Sequence, residues 1–314
     1  MAKTTMRLAG SGLEQRADHP EREIADLRQQ IEERLRRALP DQEGRADPLN
    51  AAMRAATLSA GKRMRPLLLM LVARDLGCTN PALLDAACAV ELVHAASLIL
   101  DDLPCMDDAA LRRGVPTVHR QFGEHVAILA AVALLSRAFH LLSEAPGLAP
   151  QVRTLLVAAL ANTVGAQGLV RGQFLDLHGS AQRSLDDIAR TNELKTGVLL
   201  GLSVEMAAII AQADQRVLAA LRSFARSAGQ AFQIKDDLLD SASSAITGKD
   251  SGQDSGKATL SAAIGAEKTA GRLADHLREA DHYLNDAIGS QQRTHRLVGT
   301  LFQHGGQLAG AHAT

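Results

Sequence analysis

All nine prolines of this chain fall between Pro20 and Pro150, and none follows. Proline removes a backbone donor and its ring clashes with the preceding turn, so it breaks helices. A proline-free stretch from 151 to the end leaves room for long helices. The apolar spacing agrees. Ile24, Leu27, Ile31 and Leu35 recur at three- and four-residue steps, as on one helical face, and Pro40 closes that segment. Asn80 followed by Pro81 is a helix start signal, and the apolar run beyond it reaches Leu103. Residues 123–143, 151–179, 186–213 and 215–240 also read as helical, while strand-length alternation is scarce. Ser, Gly and Asp crowd 241–256, which reads as a loop. The expectation is an all-α bundle without internal repeats: one domain over 21–314 behind a mobile tail over 1–20.

A chain of 314 residues, 46% of them hydrophobic, can bury a large core. Its formal net charge of -1 gives no global basic field for nucleic acid. Cys78, Cys88 and Cys105 lack C-x-x-C spacing, so inert or buried thiols are expected rather than disulfides or a thiolate zinc site. No apolar run reaches membrane-spanning length without charged or polar interruption, and no membrane span is expected. The first residues lack the apolar region of a signal peptide, so the chain is expected in the cytoplasm.

Two carboxylate clusters stand out. The first is Asp101-Asp102-Leu103-Pro104-Cys105-Met106-Asp107-Asp108, the second Asp236-Asp237-Leu238-Leu239-Asp240. Each follows an apolar helical run. One aspartate pair alone reads as a solvated helix end; two clusters in matching apolar contexts do not. Carboxylates packed this closely repel and need cations to stay ionised. Asp236 and Asp240 are four apart and share a helix face. Asp101 and Asp107, six apart, would point roughly 240° apart on an ideal helix, so a break near Pro104 is needed for them to converge. Oxygen-only ligands suit Mg²⁺, which keeps coordination sites for substrate phosphate.

Basic residues complement them. They occur in Gly61-Lys62-Arg63-Met64-Arg65-Pro66, Leu111-Arg112-Arg113-Gly114, Lys195-Thr196-Gly197, Gly248-Lys249-Asp250 and Gly256-Lys257-Ala258-Thr259. Arginine offers phosphate a planar donor fork and lysine a mobile point charge. Each segment alone is a weak signal, and none is a P-loop. With two Mg²⁺-type clusters they describe a diphosphate chamber. His94, seven residues before Asp101, shares its helix face and can donate a hydrogen bond there.

These motifs, in this order, resemble those of the trans-isoprenyl diphosphate synthases, and the bacterial carotenoid-type geranylgeranyl diphosphate synthases most of all. The likeness runs over about 21–302 and is densest at 60–68, 88–135 and 229–260. It implies an isoprenoid synthase-type bundle of long antiparallel helices around a central cavity, usually a homodimer. It also implies condensation of isopentenyl diphosphate with allylic diphosphates (dimethylallyl, geranyl, farnesyl), with Mg²⁺ as cofactor, three ions per active site. By position, Asp101, Asp102 and Asp107 would hold Mg²⁺ on the allylic diphosphate, and Asp236 and Asp240 a further ion from the opposite wall. Lys62, Arg65, His94 and Arg113 would bind isopentenyl diphosphate; Arg112, Lys195 and Lys249 would contact the allylic diphosphate, and Lys257 counts among the substrate-binding cations. Thr196 and Gln233 would place oxygens near the developing carbocation, and Gln173 and Asp176 would order the metal shell. The fifth residue before the first aspartate, which helps form the floor for the growing chain, is Ala96, with small Ser97 beside it. Small residues there imply a C20 product, with C15 as the alternative.

The chain departs from the family pattern at Ala109, Ala110, Val115, Ala131-Val132, Arg171 and the ending at 303–306. None of these removes a metal ligand or a main diphosphate contact. A terpene cyclase would want a different second metal motif and an aromatic cavity; the second motif is intact and aromatic content is 2%. A non-catalytic partner subunit should have eroded aspartates, and these are complete.

Overall fold

The computed structural model describes residues 11–40, 47–179, 184–240, 264–290 and 292–303. Helix α1 (Ser11–Ala38) buries Leu27, Ile31 and Leu35 completely, the face read from their spacing. It begins at Ser11, so helix extends into the stretch expected to be a tail. Helix α2 (Pro48–Thr57) starts behind Asp47, whose side chain accepts from Leu49 N at 2.9 Å, with Pro48 at the first turn. Helices α3 (Met64–Asp75) and α4 (Ala82–Asp101) are apolar on nearly every side because they are enclosed on nearly every side. Around α4 pack α1, α2, α3, α6 (Glu124–Ser143) and α10 (Val198–Ala211). The acids inside α4 survive burial by pairing: Asp85 with Arg34 Nε at 2.6 Å and Glu91 with Arg63 Nη1 at 2.7 Å.

A two-residue antiparallel ladder, β1 (Leu111–Arg112) with β2 (Val115–Pro116), follows α4. Then come α5 (Val118–Phe122) and α6. The run 151–179, expected as one helix, is two: α7 (Pro150–Val164) and α8 (Leu169–His178). Gly165 and Gly168, poor helix formers, leave helical geometry between them. The run 186–213 is also interrupted. Helix α9 (Leu185–Asn192) passes through a π-helical turn, Glu193–Gly197, into α10. Helix α11 (Gln215–Asp240) matches the expected span, and α12 (Ala266–Ile288) packs along it. Helix α13 (Arg293–Gln303) packs on α3. Asp75 of α3 accepts from Thr294 N at 2.9 Å and Thr294 Oγ1 at 2.7 Å, closing the start of α13.

By length and composition alone, Ala82–Asp101, Glu124–Ser143, Pro150–His178 and Leu185–Ala211 are apolar enough to cross a membrane. Each of them carries charged residues, as read from the sequence, and length and composition alone do not establish a membrane span. In α4, 72% of that apolar window is instead buried within the bundle. The three cysteines are all free, as expected: Cys88 is buried, Cys78 partly buried and Cys105 exposed.

Candidate active site

Helix α4 ends at Asp101, before Pro104 rather than at it. The chain then turns back, and the Asp107 amide donates to the Asp101 carbonyl at 2.9 Å. That turn brings the two ends of the first cluster together, as an unbroken helix would not. Asp101 and Asp102 stand at the negative end of a buried helix, where added carboxylates are disfavoured. Burial pushes the Asp101 carboxyl up to about 6; Lys195 opposes the shift and neighbouring Asp107 adds to it. Asp102, nearly buried, accepts from Arg112 Nε at 2.9 Å and from Arg112 Nη2. Asp236 lies in the last turns of α11, and Asp240 closes that helix.

The π-helical turn links the two clusters. A Cβ on Gly172 of α8 would stand 2.5 Å from Lys195 N, and one on Gly229 of α11 would stand 3.0 Å from Gly197 Cα. Only glycine permits both approaches, so the turn is pressed between α8 and α11. One helical turn beyond Gly172, Asp176 Oδ2 accepts from Lys195 Nζ at 2.7 Å. One turn beyond Gly229, Gln233 Oε1 accepts from Thr196 Oγ1 at 3.2 Å. Gln173 Nε2 points to Met106 Sδ at 3.8 Å, tying α8 to the first aspartate loop. π-Helical turns recur at functional sites because they re-aim side chains.

On another wall, Arg65 Nη1 lies 3.4 Å from His94 Nε2. Burial, followed by Arg65 and Arg113, pushes the His94 imidazole well below its ordinary value, so it is neutral. Arg65 Nε is buried without a hydrogen-bond partner among the described residues. Arg65 also feels the opposed charges of Glu91 and, across the site, Asp236. Arg113 Nη1 donates to the Ala60 carbonyl at 2.6 Å, and Lys62 beside it is exposed. Ala96 is fully buried within α4, whereas Ser97 is half-buried and donates to the His94 carbonyl at 2.9 Å. Lys249 and Lys257 lie outside the described residues.

Arg65 thus stands with His94, with Arg113 and Arg112 in electrostatic reach of that imidazole, while Lys195 pairs with Asp176 and reaches Asp101, and adjacent Thr196 bonds Gln233. Buried Glu91 escaped the sequence reading, and nothing in the sequence sets buried Arg63 apart from the other cations of its segment. An acid standing alone inside the apolar run of α4 was the available signal for Glu91.

Among the described residues no group of three acids, histidines or cysteines is close enough to grip an ion. The donor chemistry nevertheless fits a hard divalent cation. The donors are all carboxylate oxygens, and burial has raised two of them, Asp101 and Asp102.

Residues 46–295 match the model of the polyprenyl synthetase family. A geranylgeranyl diphosphate synthase of Pantoea ananas is 49% identical over 288 residues, covering 91% of this chain and 93% of that protein. A geranylgeranyl diphosphate synthase of Pseudescherichia vulneris is 47% identical over the same coverage. The crystal structure of an FPP/GFPP synthase from Zymomonas mobilis superposes with a TM-score of 0.77 at 35% identity, covering 89% of this chain and 98% of that one. The chain belongs to the polyprenyl synthetase family, whose members are trans-prenyltransferases.

Proposed function

We propose that this enzyme condenses isopentenyl diphosphate with allylic diphosphates and releases C20 geranylgeranyl diphosphate. The observation that carries the reading is the connection between the two acidic helix ends. Lys195 lies within electrostatic reach of Asp101, and adjacent Thr196 bonds Gln233, three residues before Asp236. This supports one chamber with carboxylates from two helices and, among the described residues, cations from three segments. The high identity to two geranylgeranyl diphosphate synthases supports the C20 product. The FPP/GFPP synthase among the structural neighbours keeps C15 as the second reading.

Asp101, Asp102, Asp107, Asp236 and Asp240 are the proposed Mg²⁺ ligands, three ions per site. When bound, Mg²⁺ supplies Lewis-acid stabilisation of the leaving diphosphate. Arg112, Lys195 and Lys249 hold the allylic diphosphate, and Lys62, Arg65, His94 and Arg113, with Lys257 as a further cation, hold isopentenyl diphosphate. Ionisation of the allylic C–O bond leaves a carbocation, which the isopentenyl double bond attacks. Neutral His94 donates a hydrogen bond without adding charge. Thr196 and Gln233 place oxygens beside the cation, and the departing diphosphate can accept the final proton. Apolar walls exclude water, which would quench the cation.

We also propose a homodimer working in the cytoplasm, with none of its apolar helices spanning a membrane and no nucleic-acid partner. Ile128, Leu129 and Val132 of α6, Leu155 of α7, and Val170, Phe174 and Leu177 of α8 are exposed on helices that pack in succession. An apolar stripe of that kind marks a surface that another chain covers. The test of the whole reading is product analysis with C5, C10 and C15 primers, excess isopentenyl diphosphate and MgCl₂. A C20 product from each primer is expected. No condensation with any primer would overturn it.

A further inference from the structure

Arg63 occupies an unusual place. Its backbone is left-handed, with φ of 51°, at the residue preceding α3. Residues other than glycine seldom adopt that conformation, so something must hold it. The side chain does so. It is only 2% exposed and spans three elements. Nε donates to Glu32 Oε1 of α1 at 2.5 Å, Nη1 to Glu91 Oε1 of α4 at 2.7 Å, and Nη2 to the Ser59 carbonyl at 2.9 Å. The guanidinium is thereby committed to the protein.

Its neighbours are the cations that matter. Lys62 precedes it and Arg65 follows two residues later. Arg113 fixes the same loop from outside, donating to the Ala60 carbonyl at 2.6 Å and to Ser59 Oγ at 3.4 Å. Glu91 is the buried carboxylate whose field Arg65 and Arg113 share with Arg63. Lysine could replace one of the contacts of Arg63 but not its planar, three-way fork.

We infer that Arg63, clamped between Glu32 and Glu91, is a positioning residue that sets the Lys62–Arg65 loop to receive the diphosphate of isopentenyl diphosphate. This rests on the proposed assignment of Lys62 and Arg65 to that substrate. The clamp joins three elements that the chain brings together from positions 31 and 28 residues away. Loss of the clamp frees the left-handed turn to relax, and both flanking cations then lose their directions. Among the described residues, the allylic side meets this loop only through Arg113; its neighbour Arg112 is held separately by Asp102 at 2.9 Å, and Lys195 by Asp176 at 2.7 Å.

The experiment is steady-state kinetics, varying each substrate separately, on Arg63→Gln, Arg63→Lys, Glu32→Gln and Arg65→Ala, with thermal melting of each. Arg63→Gln is expected to raise KM for isopentenyl diphosphate about tenfold, the scale of one misplaced charge-assisted contact. Its allylic KM and its kcat should stay within about twofold. Arg63→Lys should fall between it and the unaltered enzyme. A melting temperature lowered with both KM values unchanged, or both KM values raised equally, overturns the inference. If Arg63→Gln does not fold, Glu32→Gln decides: it removes one clamp from a position 21% exposed. A selective rise of about threefold is then expected, and an unchanged KM overturns the inference. Arg65→Ala separates the two levels. No effect of Arg65→Ala on isopentenyl diphosphate refutes the subsite assignment itself. A strong effect there with none from Arg63→Gln or Glu32→Gln refutes only the clamp.

Discussion

Lys195 Nζ donates to Asp176 Oδ2 at 2.7 Å, from the π-helical turn to the inner face of α8. The cation assigned to the allylic diphosphate thus has a fixed carboxylate at its back. Both side chains are less than a quarter exposed, so the pair is poorly screened. The same ammonium lies within electrostatic reach of Asp101 and opposes the rise that burial gives its carboxyl.

Lys195→Ala is expected to raise the allylic KM by about 10- to 100-fold, as loss of a charge-assisted bond worth about 1.5–3 kcal/mol requires. Asp176→Asn keeps an acceptor but loses the charge, and should raise it less, by about threefold to tenfold. Kinetics with the allylic substrate varied check both values. An unchanged allylic KM in Lys195→Ala would remove this lysine from the subsite.

Asp101→Ala and Asp236→Ala are each expected to lower kcat by about 10² or more, the scale of losing a preorganised electrostatic group. EDTA should abolish turnover, and added Mg²⁺ should restore it. Near-normal turnover by either purified variant, or full activity in EDTA, contradicts the two-cluster reading. Circular dichroism on the same samples separates loss of chemistry from loss of fold.

What the sequence made legible was periodicity and residue type. The buried face of α1, the extent of α6 and the whole of α11 follow from apolar spacing that local physics enforces. The break between α7 and α8 did not show, because its glycines sit in a stretch that stays apolar on both sides. The π-helical turn leaves no trace in composition, since one wider turn changes register without changing residue preference. The candidate site residues were chosen by their chemistry, which says nothing of how they pair. Arg112 meets Asp102 from ten residues away, and Arg63 meets Glu91 from 28, distances that only the packed bundle brings to contact.

The two diphosphate subsites should separate kinetically. Arg65 stands with His94 at 3.4 Å, while Arg112 is bound to Asp102 at 2.9 Å. Arg65→Ala should therefore raise mainly the KM for isopentenyl diphosphate, and Arg112→Ala mainly the allylic KM, each by about 10-fold or more. Equal effects on both substrates in either variant contradict the assignment.

His94 provides a test in pH. Burial, then Arg65 and Arg113, hold its folded pKa well below the ordinary value near 6.5. Below about pH 6.5 the unfolded chain therefore binds a proton that the folded chain refuses, and stability falls as pH falls. The contribution is present above that value and is lost progressively down to the folded pKa. Between pH 7.5 and 5.5 the unaltered protein should lose more stability than His94→Gln, which carries no such group. Denaturant unfolding at the two pH values checks the difference. Equal losses would mean that the imidazole is free to protonate in the folded state.

Product length tests the floor of the chamber. The growing chain must run from the diphosphates into apolar space beside α4, the helix that carries Asp101. Ala96 is fully buried there, and α4 packs along α6, whose buried residues include Ala127, Ala130 and Ala131. Small side chains at such a contact either let two helices approach or leave depth for another C5 unit. Ala96→Tyr distinguishes the two. If Ala96 only serves a helix–helix contact, tyrosine overpacks the core and costs about 1–3 kcal/mol, while product length stays at C20. If Ala96 forms the floor, the ring fills space that the product would use, the melting temperature changes little, and product shifts to C15. The second outcome is expected, with the unaltered enzyme making C20. Chromatography of dephosphorylated products under excess isopentenyl diphosphate, with melting curves of both proteins, decides between them. An unaltered enzyme that stops at C15, or an Ala96→Tyr variant that still makes only C20, refutes the floor assignment and directs attention to half-buried Ser97, four residues before Asp101 and on its helix face.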